Sequence, residues 1–125
     1  MNNSIDILNG TIEETINKCH WTKNQSPLDI TNSVNEELNE VIEEIKKGDN
    51  NNLEEEVGDL LFTVILLGKL LEKEGKISLI KSIERINDKI IKRSPHVFGD
   101  KVATSPEEAL AIWNAIKYSE YKKTK

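Results

Sequence analysis

The chain has 125 residues, of which 37% are hydrophobic and 31% charged, and its 22 acidic and 17 basic residues leave a net charge of −5. This length predicts a single domain, 1–125, whose core is complete alone or is completed by pairing of copies. The negative charge disfavours nucleic acid as a partner, because phosphate backbones bind basic faces.

The single cysteine, Cys19, excludes an internal disulfide and suits the cytoplasm. The sequence shows neither a signal-peptide pattern nor an apolar run long enough to cross a membrane.

Apolar residues recur at helical spacing along most of the chain, which predicts an all-α fold, an antiparallel helical bundle. Gly10, followed by Thr11 and Glu14 as a capping box, indicates an interruption in the first helix. GDNNN is predicted as a turn, and the C-terminal YKKTK as a frayed tail. The predicted helices cover residues 5–18, 26–47, 53–74, 78–93 and 105–121.

Two of these helices repeat one acidic pattern. VNEELNEVIEEI matches LEEEVGDLLFTV at a shift of 19 residues, which aligns Glu37 with Glu56 and Glu40 with Asp59. In each helix the two acids are three residues apart and lie beside the apolar stripe, so their side chains are neighbours. If the helices pack side by side, four carboxylates meet, and they repel one another unless they are protonated or neutralised.

A hard divalent cation with oxygen ligands would neutralise such a cluster. The histidines, His20 and His96, fall in predicted loops, so the ligand set favours Mg²⁺, with Mn²⁺ as a substitute, over zinc or iron. Magnesium bound by carboxylates keeps positions for water and phosphate oxygens, which indicates phosphate chemistry. The alternative is a solvated acidic face, and it explains any single pair of acids better than a metal does.

Gly58 lies between Glu56 and Asp59 in the predicted third helix. A glycine there costs a helix about 1 kcal/mol relative to alanine. We interpret it as a position where the missing side chain lets a neighbouring helix or a phosphate group approach closely.

The order of motifs resembles that of the MazG-like nucleoside triphosphate pyrophosphohydrolases, within the all-α NTP pyrophosphatases. Five motifs carry the resemblance, which covers roughly residues 19–122. The departures from the family pattern, at His20, Thr22, Lys92 and Ser94, bear on substrate choice and phosphate affinity rather than on the acids. The motifs are CHWTKNQ at 19–25, EELNE at 36–40, EVGD at 56–59, KIIKRSPHVFGD at 89–100 and WNAIK at 113–117.

The resemblance implies hydrolysis of a nucleoside triphosphate to the monophosphate and pyrophosphate by a magnesium-dependent homodimer or higher homo-oligomer. It implies metal ligands at Glu37, Glu40, Glu56 and Asp59, and a basic cluster for the triphosphate at Lys89, Lys92 and Arg93. It also implies a nucleotide-binding loop with Trp21, Lys23 and Gln25, and a C-terminal contact through Trp113 and Lys117.

Several roles stay open at this point. Glu36 is a candidate to position the attacking water, or a solvated surface glutamate. Lys89, Lys92 and Arg93 could instead serve only the helix that they end, because positive charges at the C-terminus of a helix interact favourably with its dipole. Trp21 can stack on a base or anchor its loop in the core, and core packing is an equal alternative for Trp113. As a whole, the chain could instead be a non-catalytic helical dimerisation module or a module that binds nucleotide without turnover.

Overall fold

The computed structural model describes the backbone of residues 2–124 and the side chains of residues 3–122. Every regular element in that range is an α-helix, so the predicted all-α class is confirmed. None of the described helices is both long and apolar enough to span a membrane. The chain divides into two compact units, Met1–Leu79 and Ile80–Lys125. The helices are α1 (Asn2–Lys18), α2 (His20–Lys23), α3 (Pro27–Lys47), α4 (Asn50–Lys73), α5 (Leu79–Arg93), α6 (Pro95–Phe98) and α7 (Pro106–Thr124).

A hairpin of α3 and α4 dominates the first unit. Ser26 and Asp29 form the capping box that begins α3, each side chain accepting a hydrogen bond from the other residue's backbone N–H. Gly48 ends α3 in the left-handed conformation, with φ of 77°, and its N–H donates to the Glu44 carbonyl. Asp49 then caps α4 by accepting from the Asn52 N–H. Because so few residues separate the helices, α3 and α4 are antiparallel neighbours.

The core of the first unit joins three helices. It consists of Ile12 and Ile16 from α1, Ile30 from α3, and Leu66 and Leu70 from α4.

A buried lysine lies beside this core. Lys69, on α4, forms an ion pair and a hydrogen bond with Glu13 of α1. The pair satisfies an ammonium group that would otherwise be buried without a partner, so it fixes α1 against α4.

Several local predictions differ from the structure. The predicted interruption at Gly10 is wrong, because α1 is continuous and the Thr11 hydroxyl donates to the Ile7 carbonyl one turn earlier, as it does inside a helix. The predicted turn was too long, since the Asp49 cap lets α4 begin at Asn50. Two predicted loops contain the short helices α2 and α6. The tail predicted as frayed is helical to Thr124, and Lys125 lies outside the described residues.

The second unit contains α5 from Ile80 onward, α6 and α7. The Ser105 hydroxyl caps α7 by accepting from the Glu108 N–H, and Pro106 follows at the first helical position. All side chains of α5 are described, and none of them is buried. Its isoleucine stripe is 43% to 68% exposed, and consists of Ile80, Ile83, Ile86, Ile90 and Ile91.

The first unit also exposes an apolar surface, which we call the hairpin face. Val41 of α3 is buried, whereas Leu38 and Ile42, which lie beside it on the helix, are exposed. The hairpin face is 40% to 61% exposed, and consists of Leu38, Ile42 and Ile45 on α3 and Val57, Leu61 and Val64 on α4.

Candidate functional site

Four acidic side chains from α3 and α4 come together in the first unit. Glu37, Glu40, Glu56 and Asp59 each offer one carboxylate oxygen, and these oxygens all lie within 4.8 Å of one another. The hairpin explains why they meet. Glu40 and Glu56 are each eight residues from Gly48, and Glu37 and Asp59 are each eleven, so the acids face each other across two antiparallel helices. The structure thus brings together all four residues that the resemblance marks as metal ligands.

Crowding of these carboxyl groups changes how they titrate. A hydrogen bond with the Glu40 carboxyl raises the pKa of Glu56 to about 7, and desolvation and the negative charges of the other acids act in the same direction. Burial raises the pKa of Glu37, and repulsion by Glu40 raises it further. Glu56 is therefore only partly ionised at neutral pH when no cation is bound.

Two oxygen atoms of this cluster have no partner. Glu37 Oε2 and Glu56 Oε2 are both buried, and neither accepts a hydrogen bond from any described residue. A buried acceptor without a partner is expensive, and a cation would satisfy both oxygens at once. The donor set is four carboxylates with no nitrogen or sulfur, which suits a hard divalent cation. The residues present therefore fit a magnesium-type ion.

Gly58, between two of these acids, has open space beside it. A Cβ atom built on Gly58 would meet no heavy atom within 4 Å, and its φ angle is not positive. The interpretation that Gly58 makes room for a neighbouring helix of the same chain is therefore wrong. Room for a phosphate group stays a prediction.

The remaining predicted residues of the first unit are on or near its surface. Glu36 is exposed, and its charge contributes to the raised pKa of Glu37. Trp21 is 56% exposed on α2, so its alternative role as a core anchor is wrong, whereas the next residue, Thr22, is buried. Lys23 is exposed and Gln25 is half-buried.

The predicted basic cluster lies in the second unit, where α5 ends. Arg93 donates from Nε at 3.1 Å and from Nη2 at 2.7 Å to Oε1 of Glu120, and Lys92 Nζ lies 3.3 Å from Oε2 of the same carboxylate. Arg93 also lies over the Trp113 ring, 5.5 Å from its centre. Lys89 is exposed and forms no ion pair with any described side chain. Two of the three cations are thus held by one acid.

Glu120 was not identified from the sequence, although one signal was available. Trp113, Lys117 and Glu120 are four and three residues apart along α7 and therefore share one helix face. This face borders a groove of about 440 Å³. The groove is lined by Arg93, Asn114, Lys117, Tyr118, Glu120 and Tyr121.

Comparison with known proteins agrees with the resemblance. The family model described as the MazG nucleotide pyrophosphohydrolase domain matches residues 25–98. A nucleoside triphosphate pyrophosphohydrolase of Escherichia coli is 38% identical over 83% of this chain. The nucleoside triphosphate pyrophosphohydrolase/pyrophosphatase MazG of Thermotoga maritima is 33% identical over 86% of it. The chain spans 40% of the length of each of these relatives.

A solved structure matches the chain over nearly its whole length. The crystal structure of a MazG-related protein from Thermotoga maritima superposes with a TM-score of 0.81 and 34% sequence identity. The match covers 90% of this chain and 98% of that one.

Proposed function

Because a family model matches more than half of it, the chain belongs to the MazG nucleotide pyrophosphohydrolase domain family, and we propose that it hydrolyses nucleoside triphosphates to nucleoside monophosphates and pyrophosphate. The names of its relatives support this activity, although the chain corresponds to only part of each of them. The observation that carries the proposal is the cluster of four carboxylates with two unpartnered buried oxygens. A solvated acidic face would have no reason to bring four carboxylates together, because like charges repel.

Glu37, Glu40, Glu56 and Asp59 would hold Mg²⁺, with Mn²⁺ as the substitute. The bound ion would supply positive charge to the phosphate oxygens and to the charge that develops on the leaving pyrophosphate. The raised pKa values of Glu37 and Glu56 are consistent with this role, since they express the same excess of negative charge.

The protein's own groups would bind the substrate and handle the proton. A water molecule attacks the α-phosphorus, and Glu36, next to the cluster, accepts its proton or orients it. Lys89, Lys92 and Arg93 bind the triphosphate through charge-assisted hydrogen bonds. Trp21, Lys23 and Gln25 would contact the nucleotide, and Trp113 and Lys117 would make a C-terminal contact with the substrate.

The exposed apolar surfaces support a homo-oligomer. The six side chains of the hairpin face are 40% to 61% exposed, and the α5 stripe has five exposed isoleucines. Contiguous apolar surface of this kind is rare on monomers and typical of interaction sites. We propose that a second copy of the chain covers the hairpin face and completes the core as a homodimer or higher assembly.

A pyrophosphate-release screen tests the activity. Common and damaged nucleoside and deoxynucleoside triphosphates are incubated with the protein, with and without Mg²⁺. At least one is expected to yield pyrophosphate and a monophosphate in equal amounts, and only with the cation. Release of single phosphates instead, or activity in excess chelator, would show that the reaction is assigned wrongly.

The screen, together with binding measurements, separates the alternative functions. A nucleotide-binding module without turnover would bind the Mg²⁺ nucleotide and release nothing. A dimerisation module would bind neither nucleotide nor Mg²⁺ at the carboxylate cluster, so calorimetric titration with Mg²⁺ alone distinguishes it from the other two.

A further inference from the structure

The Glu120 carboxylate holds Arg93 along one edge of the guanidinium. Nε and Nη2 both donate to the same oxygen, Oε1, and the other oxygen faces Lys92. The Arg93 side chain is 12% exposed and that of Glu120 is 25% exposed, whereas Lys92 is 65% exposed. Glu120 therefore makes its more buried contact with Arg93, and the hydrogen bonds from Arg93 keep the pKa of the Glu120 carboxyl below its usual range.

The other edge of the guanidinium has free donors. An arginine has five N–H groups in a fixed planar fork, and Glu120 uses the one on Nε and one on Nη2. No described residue accepts a hydrogen bond from Nη1. The Nη1–Nη2 edge therefore keeps two parallel N–H donors, which is the geometry that binds two oxygens of one phosphate group.

The face of the guanidinium is also held. The Trp113 ring lies 5.5 Å from Arg93 Cζ, a distance at which the ring quadrupole attracts the cation. Both restraining groups come from one face of α7, where Trp113 and Glu120 are seven residues apart. A side chain held at its edge and at its face has few orientations left to lose when it binds a ligand.

We propose that Glu120 is a positioning residue, which orients the Arg93 guanidinium over Trp113 so that its free Nη1–Nη2 edge receives a phosphate group of the substrate. This inference rests on the proposed function and adds a residue to it. It places an acidic residue, Glu120, beside a binding site for an anion, although the repulsion between like charges alone would disfavour an acid there.

The simplest competing explanation makes the opposite prediction. If Glu120 only neutralised Arg93 and Lys92, removing its charge would leave both cations to the triphosphate, and binding would become tighter. If Glu120 positions Arg93, removing it loosens the guanidinium and binding becomes weaker despite the gain in positive charge. The direction of the change therefore decides between the two.

Steady-state pyrophosphate release is measured for the wild type and for Glu120→Gln, with Glu107→Gln as the matched control. Glu107 lies on the same helix, is exposed, and loses the same charge when changed. We expect Glu120→Gln to raise KM about tenfold with kcat within about twofold, as for the loss of one oriented charge-assisted contact. Glu107→Gln should leave both KM and kcat unchanged. An unchanged or lower KM in Glu120→Gln would overturn the proposal.

Two further variants exclude a merely structural role. Glu120→Asp keeps the charge but withdraws it from Arg93, so KM should rise without any change in net charge. Glu120→Asp also serves as the test variant if the Tm of Glu120→Gln is much lower than that of the wild type. Arg93→Lys removes the fork, so adding Glu120→Gln to it should change KM no further. Additive effects in this double-mutant cycle would show that Glu120 does not act through Arg93.

Binding of inorganic tripolyphosphate with Mg²⁺, measured by calorimetry, separates this proposal from the proposed function. If no nucleotide yields pyrophosphate, the proposed activity is wrong, and tripolyphosphate still tests Glu120. About tenfold weaker binding in Glu120→Gln than in Glu107→Gln would support the positioning role. Equal or tighter binding, or no binding by the wild type, would refute it.

Discussion

The carboxyl groups of Glu40 and Glu56 lie close enough across the α3–α4 hairpin to share a proton, and this contact raises the pKa of Glu56 to about 7. The two residues stand at equal distances from the turn at Gly48. Glu56 therefore titrates near neutral pH when the cluster is free of metal, and its carboxyl group must be ionised before it can serve as a ligand.

The metal-free protein should lose stability as the pH rises toward neutral. The folded-state pKa of Glu56, about 7, is above its ordinary value of 4.5, so the folded state binds the proton more tightly than the unfolded state does. The resulting stabilisation is complete below pH 4.5 and is lost as the pH passes through 7. With a chelator present, the Tm should fall as the pH is raised from 4.5 to 7. It should fall less in Glu56→Gln. A wild-type Tm that falls no more than that of Glu56→Gln over this range would contradict the shared proton.

Magnesium should restore this stability at pH 8 through the four acids. A ligand at about a hundred times its Kd stabilises the folded state by about 2.7 kcal/mol, so the Tm should rise with Mg²⁺ concentration. Asp59→Asn should lose most of this rise and all pyrophosphate release, while its helical circular dichroism stays unchanged. Glu54→Gln is the control, since Glu54 is exposed on α4 outside the cluster. An equal rise in Tm with Mg²⁺ in Asp59→Asn and Glu54→Gln would contradict the assignment of Asp59 as a ligand.

Binding of Mg²⁺ should release protons below pH 7 and few above pH 8. The cation needs ionised ligands, and Glu56, whose pKa is raised to about 7, is mostly protonated in the free cluster at pH 6.5. Calorimetric titrations at pH 6.5 in two buffers of different ionisation enthalpy measure the number released. A heat that does not depend on the buffer at this pH would argue against proton displacement.

Gly58→Ala should stabilise the fold by about 1 kcal/mol, because alanine favours the helix and a Cβ there meets open space. Gly48→Ala is the contrasting variant, since the φ of 77° at Gly48 strains any side chain and should cost about 1 kcal/mol or more. Urea unfolding measures both. If Gly58 makes room for a phosphate group, its variant gains stability but loses pyrophosphate release; retained release would refute that interpretation.

Leu61→Asp should weaken self-association more than tenfold, because it places a charge in the hairpin face, where Leu61 is 41% exposed. Ile7→Asp is the control, as Ile7 is 69% exposed on α1 and lies outside that face. Size-exclusion chromatography with light scattering over a range of concentrations gives the mass of each variant. The same mass for Leu61→Asp and the wild type at every concentration would rule out the hairpin face as the interface.

Much of the helical architecture was predictable because its signals are local. Ser26, Pro27 and Asp29 begin α3 through contacts within one turn of helix, and Gly48 ends it through its own backbone conformation. The errors arose where two local signals compete. Gly10 and Thr11 look like a break, yet they lie within α1, where Ile12 and Ile16 are buried against α3 and α4.

The sequence by itself determined where the acids stand on each helix, since the shift of 19 residues aligns Glu37 with Glu56 and Glu40 with Asp59 beside the two apolar stripes. Only the tertiary structure decided what these positions do to one another. The pKa of Glu56, the unpartnered oxygens, and the hold of Glu120 on Arg93 all depend on distances between residues far apart in the chain. Electrostatic and hydrogen-bond energies change over a few ångströms, and helical spacing determines direction along one helix but not the distance to the next.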